Sequence, residues 1–348
     1  MEGVDLSTYV FDYDLTFAIL LMNPDGTVYH RYGTRDHTSG TSRMSMGSLV
    51  RLLRDTLEDH KAYQKAPKPP KAVAKRTVEQ IPPMARKLEK RRREKKKRDA
   101  EEDCIHCHMV NEAERDYARE GRRWSRDATL GMWPLPEKVG LVLDREDQPL
   151  VKKVLPGSAA AAGGIKPRDR IVRMGDQLVR TQSDVQWVLE RAPSDGASIP
   201  VELLREGASN TAAGKVEARI QPKKGWKAPT DLDFSWRASM WSLNPKPGFG
   251  GKRLGQDELA KLGLAPDTFA LEVGYIVDWG DEAHTGRSAR AAGIKRGDVV
   301  LSVAGKKDFA SEMHFQTWFR FTQKPGTKAD VEVLREGKKV KIELPVLP

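Results

Sequence analysis

The sequence predicts an α+β multidomain chain, and three observations carry that expectation. Residues from 137 onward contain an internal repeat at an offset near 130 positions, the first 63 residues read as strand, turn, strand and helix, and a like-charged run separates the two regions. At 348 residues with 39% hydrophobic content there is room for two or three domains with cores of their own.

In the first region, Leu15–Met22 is an apolar run that reads as a strand buried on both faces. Asn23-Pro24-Asp25-Gly26 is a turn, and Thr27–Tyr32 alternates as a second strand. Leu49, Leu52, Leu53 and Leu57 recur at helical spacing and predict an amphipathic helix from Met46 to Tyr63. This order resembles the C-terminal half of a thioredoxin fold, so residues 1–63 are expected to form a partial thioredoxin-like unit. The half that carries C-x-x-C in that family is absent, and Tyr13-Asp14-Leu15 lacks the family's proline. About sixty residues make a marginal core. The reading therefore expects further residues upstream of Met1, with a redox site and a secretion signal, lost for example at a selenocysteine codon taken for a stop. Thiol–disulfide activity would need those residues.

Residues 64–98 hold fifteen Lys/Arg against three Glu, a net of +12 in a chain whose total is +11. All of the excess basicity therefore lies in this segment. With Pro67, Pro69 and Pro70 at its start it reads as a solvated basic linker, free to touch an anionic membrane surface, with no specific nucleic-acid partner expected. The longest apolar run, Phe17–Met22, is far short of the roughly twenty residues a membrane helix needs. Met1–Asp5 has no signal-peptide character, which by itself reads as cytoplasmic.

Residues 99–136 form a segment built around Cys104-Ile105-His106-Cys107-His108, a C-x-x-C-H of the kind that attaches c-type haem. In that chemistry Cys104 and Cys107 form thioethers and His108 becomes an axial iron ligand. A short helical haem-c-like segment is expected, with Met132, Met109 and His60 as candidates for the sixth ligand. A redox dithiol and a zinc site are the competing readings; four-ligand zinc lacks a second Cys pair. Haem attachment points to a periplasmic or otherwise extracytoplasmic location.

The repeat has three blocks in one order. Gly164–Val172 returns as Gly293–Leu301, Val185–Leu189 as Phe315–Phe319, and Leu203–Gly207 as Val333–Gly337. In the first copy, Pro156-Gly157-Ser158-Ala159-Ala160-Ala161-Ala162-Gly163-Gly164-Ile165 followed by Asp169-Arg170-Ile171-Val172 resembles the PDZ domains found beside bacterial Deg-type serine proteases. Two PDZ-like domains are expected, at 137–222 and 253–348, joined by a Trp/Pro/Gly connector at 223–252 that carries Trp226, Trp236 and Trp241 and clamps onto the domains. The resemblance implies a groove between a strand edge and the second helix, in which a peptide adds as a strand and its carboxylate meets a loop of backbone N–H groups. In the first copy the loop is placed at Lys138-Val139-Gly140-Leu141, the groove strand begins at Val142, and Val185 and Leu189 line the side-chain pocket. An alternative is that another part of the chain fills the groove. In the second copy Gly280–Gly286 reads as a lengthened loop, no carboxylate loop precedes Leu271, and His314 opens the second helix either as a contact for a peptide hydroxyl or as an exposed residue.

The whole order resembles a family of bacterial thioredoxin/PDZ proteins with selenocysteine-containing members. It implies an extracytoplasmic redox or electron-transfer adaptor with covalent haem c, whose PDZ copies bind C-terminal peptides of partners, a redox protein among them. The rival class is a non-redox PDZ scaffold or protease/chaperone adaptor with a structural C-x-x-C-H. No catalytic residue is assigned, and no G-x-S-G segment accompanies the PDZ pair.

Overall fold

The computed structural model describes residues 1–70, 73–94, 105–125, 129–206 and 214–348. These fall into two compact units, Met1–Pro229 and Thr230–Pro348. No helix among the described residues is long and apolar enough to cross a membrane.

The first unit opens with an antiparallel hairpin, β1 (Ile19–Met22) and β2 (Val28–Tyr32), followed by α1 (Met46–Lys65). Ser45 starts α1 by accepting from the Ser48 N–H. Tyr32, Met44 and Leu52 are buried there against Ile19, Leu21 and Leu49. The strand is shorter than the apolar run predicts and only half-buried, and Phe17 lies outside it, 45% exposed. The packing falls on β2, whose His30, Arg31 and Tyr32 are buried, while β1 stays half-buried throughout, so the double burial expected of it does not arise. Among the described residues no third strand joins this sheet, and the thioredoxin-like expectation is not realised beyond a hairpin and a helix.

The basic run is not simply a solvated linker. Pro67–Pro70 has no regular structure, as its prolines require. Beyond it Val78, Ile81 and Met84 are buried, the last on α2 (Pro82–Glu94), against Leu6 and against Ile105, Met109, Val110 and Ala113 at and before α3 (His108–Glu120). The basic side chains meet an acidic helix: Arg76 pairs with Glu114, Arg86 with Glu120, and Lys87 with Glu112 at 3.9 Å. Residues 71–72 and 95–98 of the run lie outside the described residues.

The first repeat comprises β3 (Leu141–Leu143), β4 (Val151–Val154), α4 (Ala159–Ala162), β5 (Arg170–Met174), β6 (Gln177–Leu178), α5 (Gln182–Arg191), β7 (Ile199–Arg205) and β8 (Gly214–Ile220). β3 pairs with β4, and the other sheet runs β6-β5-β7-β8. The alanines of α4 allow close approach: a Cβ on Gly163 would sit 2.4 Å from the Arg219 carbonyl oxygen.

The second unit contains α6 (Asp231–Phe234), β9 (Phe249–Arg253), α7 (Gln256–Lys261), β10 (Leu271–Ile276), α8 (Ala283–Ala292), β11 (Val299–Val303), α9 (Glu312–Thr322), β12 (Lys328–Arg335) and β13 (Lys338–Pro345). Its sheet order is β13-β12-β11-β10-β9. The unit thus begins well before residue 253, and the supposed connector divides. Trp226 donates to the Pro193 carbonyl in the first unit, while Trp236 and Trp241 belong to the second. Ala283–Gly286, read as loop from the sequence, is the first turn of α8.

The blocks that repeat in sequence repeat for a reason visible in both units. Asp169 is buried, receives the Lys166 N–H at 2.8 Å, and is gripped by Arg205 through Nε at 2.6 Å and Nη2 at 2.7 Å, while Nη2 also reaches the Gly164 carbonyl. Asp298 stands in the same relation to Lys295, Arg335 and Gly293. One forked ion pair ties the turn before β5 or β11 to the end of β7 or β12, and burial makes both partners obligatory.

Candidate peptide-binding grooves

The groove loops sit at left-handed glycines. Gly140 has φ +93° and Gly248 has φ +78°. Each carbonyl accepts from the strand behind it, Gly140 from the Leu155 N–H and Gly248 from the Val277 N–H, both at 2.9 Å. A Cβ at Gly140 would meet the Ser158 side chain at 2.0 Å, and one at Gly248 the Thr285 carbonyl oxygen at 2.3 Å. The second copy therefore has the loop that the sequence reading did not find, at Lys246-Pro247-Gly248-Phe249. Its signal was present: Met132-Trp133, Leu135, Lys138 and Gly140 return as Met240-Trp241, Leu243, Lys246 and Gly248. These are 108 positions apart, whereas Gly164 and Gly293 are 129 apart, because α7 and its flanks are inserted after β9.

In the first copy the predicted residues do come together. Val139, Leu141, Val185 and Leu189 share one core and are all fully buried, Gly140 is buried, and Val142 is half-buried on β3. Val185 and Leu189 are therefore core residues here and not the walls of an open pocket. Gly140 and Asp144 direct their bonds to the β4 side, so alternation turns the Leu141 and Leu143 backbone groups toward the other edge. Among the described residues no strand pairs with that edge.

The chain's own segments lie along the helix wall. Gln186 donates to the Trp133 carbonyl at 3.0 Å, Glu190 accepts from the Trp133 N–H at 2.6 Å, and the Trp133 ring stacks on Trp187 with centroids 6.0 Å apart. Lys138 reaches the Ala228 carbonyl at 2.8 Å and Lys227 the Glu190 carbonyl at 2.5 Å, bridging the loop end of the groove. Arg43 bonds Glu137, the residue before Lys138, at 2.8 Å and Gln182 at the start of α5 at 3.4 Å. The N-terminal hairpin docks beside it. Asp184 accepts from His30 and from the N–H groups of Arg31, Arg180 and Thr181. His30, almost wholly buried, spans Asp184 at 2.9 Å and Asp59 at 3.0 Å. Burial opposes its charge, but the two carboxylates outweigh it and its pKa rises to about 9.

The second groove is closed differently. Gln316 donates to the Phe249 carbonyl at 2.8 Å, and Glu312 accepts from the Gly251 N–H and from the Tyr275 hydroxyl, each at 2.9 Å. Tyr275 crosses over Gly250, where a Cβ would lie 2.2 Å from its hydroxyl, so only glycine fits. Two β9 groups that an added strand would use, the Phe249 carbonyl and the Gly251 N–H, are already bonded to the chain's own helix. His314 is buried, not exposed: its Nδ1 accepts from the Ala310 N–H and its Nε2 faces Asp231, both at 3.0 Å.

Residues 132–204 match the family model described as PDZ domain. That segment is a PDZ domain. The match begins at Met132, so the Trp133 segment lies within the PDZ domain. Among solved structures the chain is similar to a variant of the HtrA-type protease AlgW with decapeptide, at 20% identity over 42% of this chain and 40% of that one, TM-score 0.26. It is similar also to AlgW with decapeptide, at 17% over 51% and 53%, TM-score 0.24, and to AlgW with tripeptide, at 17% over 43% and 60%, TM-score 0.26. The chain thus spans about half the length of these structures. No curated protein matches it. The family-model match carries the PDZ part of the expected family resemblance for residues 132–204, and its thioredoxin part is without support.

Cys104 lies outside the described residues. Cys107 is a free, half-buried thiol at the start of α3, and His108 bonds the Glu112 carboxylate through Nδ1 at 2.8 Å, which raises its pKa. Of the proposed sixth ligands, Met109 is buried in the α2–α3 core, His60 bonds the Tyr29 hydroxyl at 2.8 Å, and Met132 precedes the Trp133 segment.

Proposed function

We propose that this chain is a non-catalytic adaptor whose first PDZ domain binds extended, C-terminal peptides by strand addition to β3. The observation that carries it is the β3 edge, which has no strand paired to it among the described residues. The clamp on Trp133 makes the groove self-covered, so a peptide has to displace the 130–135 segment, and the apparent affinity is reduced by the closed fraction. Binding near the micromolar range is expected. Gln186→Ala removes one side of the clamp and should tighten peptide binding by about fivefold to tenfold in fluorescence anisotropy on the full chain. Weaker or unchanged binding would show that the segment is not a competitor. In the second unit Glu312 and Gln316 already hold the Gly251 N–H and the Phe249 carbonyl of β9, and strand addition is not proposed there.

Haem c attachment is a second reading, favoured by one observation: Glu112 holds His108 through Nδ1, the arrangement that leaves Nε2 as the metal-facing nitrogen. Cys104 and Cys107 would carry the thioethers and His108 the iron, supplying one-electron chemistry outside the cytoplasm. Full-length protein from a haem-attaching host should then gain one haem in mass, and Cys107→Ser should lose it. A colourless product with both thiols titratable returns the segment to a structural role.

A further inference from the structure

A polar cleft of about 540 Å³ lies in the first unit where the hairpin turn, the N-terminal residues and α5 meet. Its floor is a cation–aromatic stack: the Arg31 guanidinium lies 3.8 Å from the centre of the Trp187 ring, and the Arg191 guanidinium 4.9 Å from the same ring. Arg31 is only 6% exposed and bonds the Val10 carbonyl through Nε at 3.1 Å. Among the described residues no acceptor bonds its two terminal nitrogens. The acid beside it, Asp184, is already committed to four donors. Burial lowers the pKa of Arg31 to about 10; the Asp184 carboxylate opposes that shift and repulsion from Arg191 adds to it. Lys68 is a third cation on the wall, while Asp25, the one acid lining the cleft, is taken by the Tyr63 hydroxyl and the Thr27 N–H. Ser7 and Thr8 turn their hydroxyl protons to Asp5, so they offer an incoming group no donor.

Two guanidinium groups and an ammonium thus line one cleft against a single lining acid, Asp25, whose carboxylate is already bonded. Val10, Val28, Val73 and Pro70 supply an apolar part of the wall, beside the polar Thr27 and Gln177. We propose that this cleft binds a soluble phosphate monoester, its dianion between Arg31, Arg191 and Lys68 and its organic part against the valines. A dianion matches the cleft's excess of two positive charges, whereas a carboxylate leaves one uncompensated. Guanidinium forks suit tetrahedral oxyanions. The cleft's volume is within the range of ordinary small-molecule sites.

The test is calorimetric titration of the full chain with phenyl phosphate, with benzoate as the monoanionic control. Phenyl phosphate should bind at least about tenfold more tightly than benzoate, and Arg191→Ala, an exposed position, should weaken it about tenfold with the ligand-free melting temperature unchanged. Lys68→Ala should weaken it less, since an ammonium contributes a single point of charge. Equal affinity for the two ligands, no heat with phenyl phosphate at millimolar concentration, or an Arg191→Ala protein that binds as tightly as the parent overturns the proposal.

Discussion

Arg205→Met should destabilise the first unit by about 3–5 kcal/mol, because it leaves the Asp169 carboxylate buried without its counter-charge. That is a large part of the total stability of an ordinary domain. Arg335→Met should do the same to the second unit through Asp298. Since the chain forms two units, denaturant melts followed by hydrogen exchange should show each substitution lowering protection in its own unit. Loss of less than about 1 kcal/mol in either would show that the fork is a surface pair, not a tie within the fold.

The second large effect is a dependence on pH. His30 is faced by Asp59 and Asp184, with Arg180 bonded to Asp59 at 2.8 Å and Arg31 beside Asp184. With a folded pKa of about 9 against an ordinary 6.5, the charged histidine stabilises the docked hairpin fully below pH 6.5, and the contribution disappears as pH rises through 9. The span corresponds to something on the order of 3 kcal/mol. Burial works against the ionised Asp59, yet its bonds to His30 and Arg180 hold it down at about 2, so its own contribution is present above the ordinary value of 3.8 and is lost only as pH falls through 2. Thermal melts should therefore fall between pH 6.5 and 9 for the parent and stay flat over that window for His30→Gln. Parallel curves would mean that His30 is neutral in the folded protein.

Much of the fold was legible because its signals are local or repeated. The periodicity of Leu49, Leu52, Leu53 and Leu57 placed a helix at 46–63, and the helix found runs Met46–Lys65. The exposure of Leu53 and Leu57 was not legible, because periodicity says which residues share a face and not what covers it. The repeat blocks were legible because the Asp169–Arg205 and Asp298–Arg335 forks fix both residue types and spacing. The basic run misled, since its charge is read along the chain while Glu112, Glu114 and Glu120, which answer it, come from α3. The second groove loop was missed because the insertion after β9 shifts its register, and the alternative that the chain fills its own first groove named no segment, because nothing in a sequence shows which backbone a helix glutamine will bond.

Hydrogen exchange of the full chain, alone and with the tightest binder selected from random heptapeptides bearing free C-termini, tests the central claim most directly. Strand addition to the first PDZ domain predicts new protection at the Leu141–Leu143 amides, faster exchange in 130–135 as the Trp133 segment is displaced, no change at Phe249–Arg253, and loss of all of it when the peptide is amidated. Protection confined to the second unit, binding indifferent to amidation, or no peptide retained at all would contradict the account.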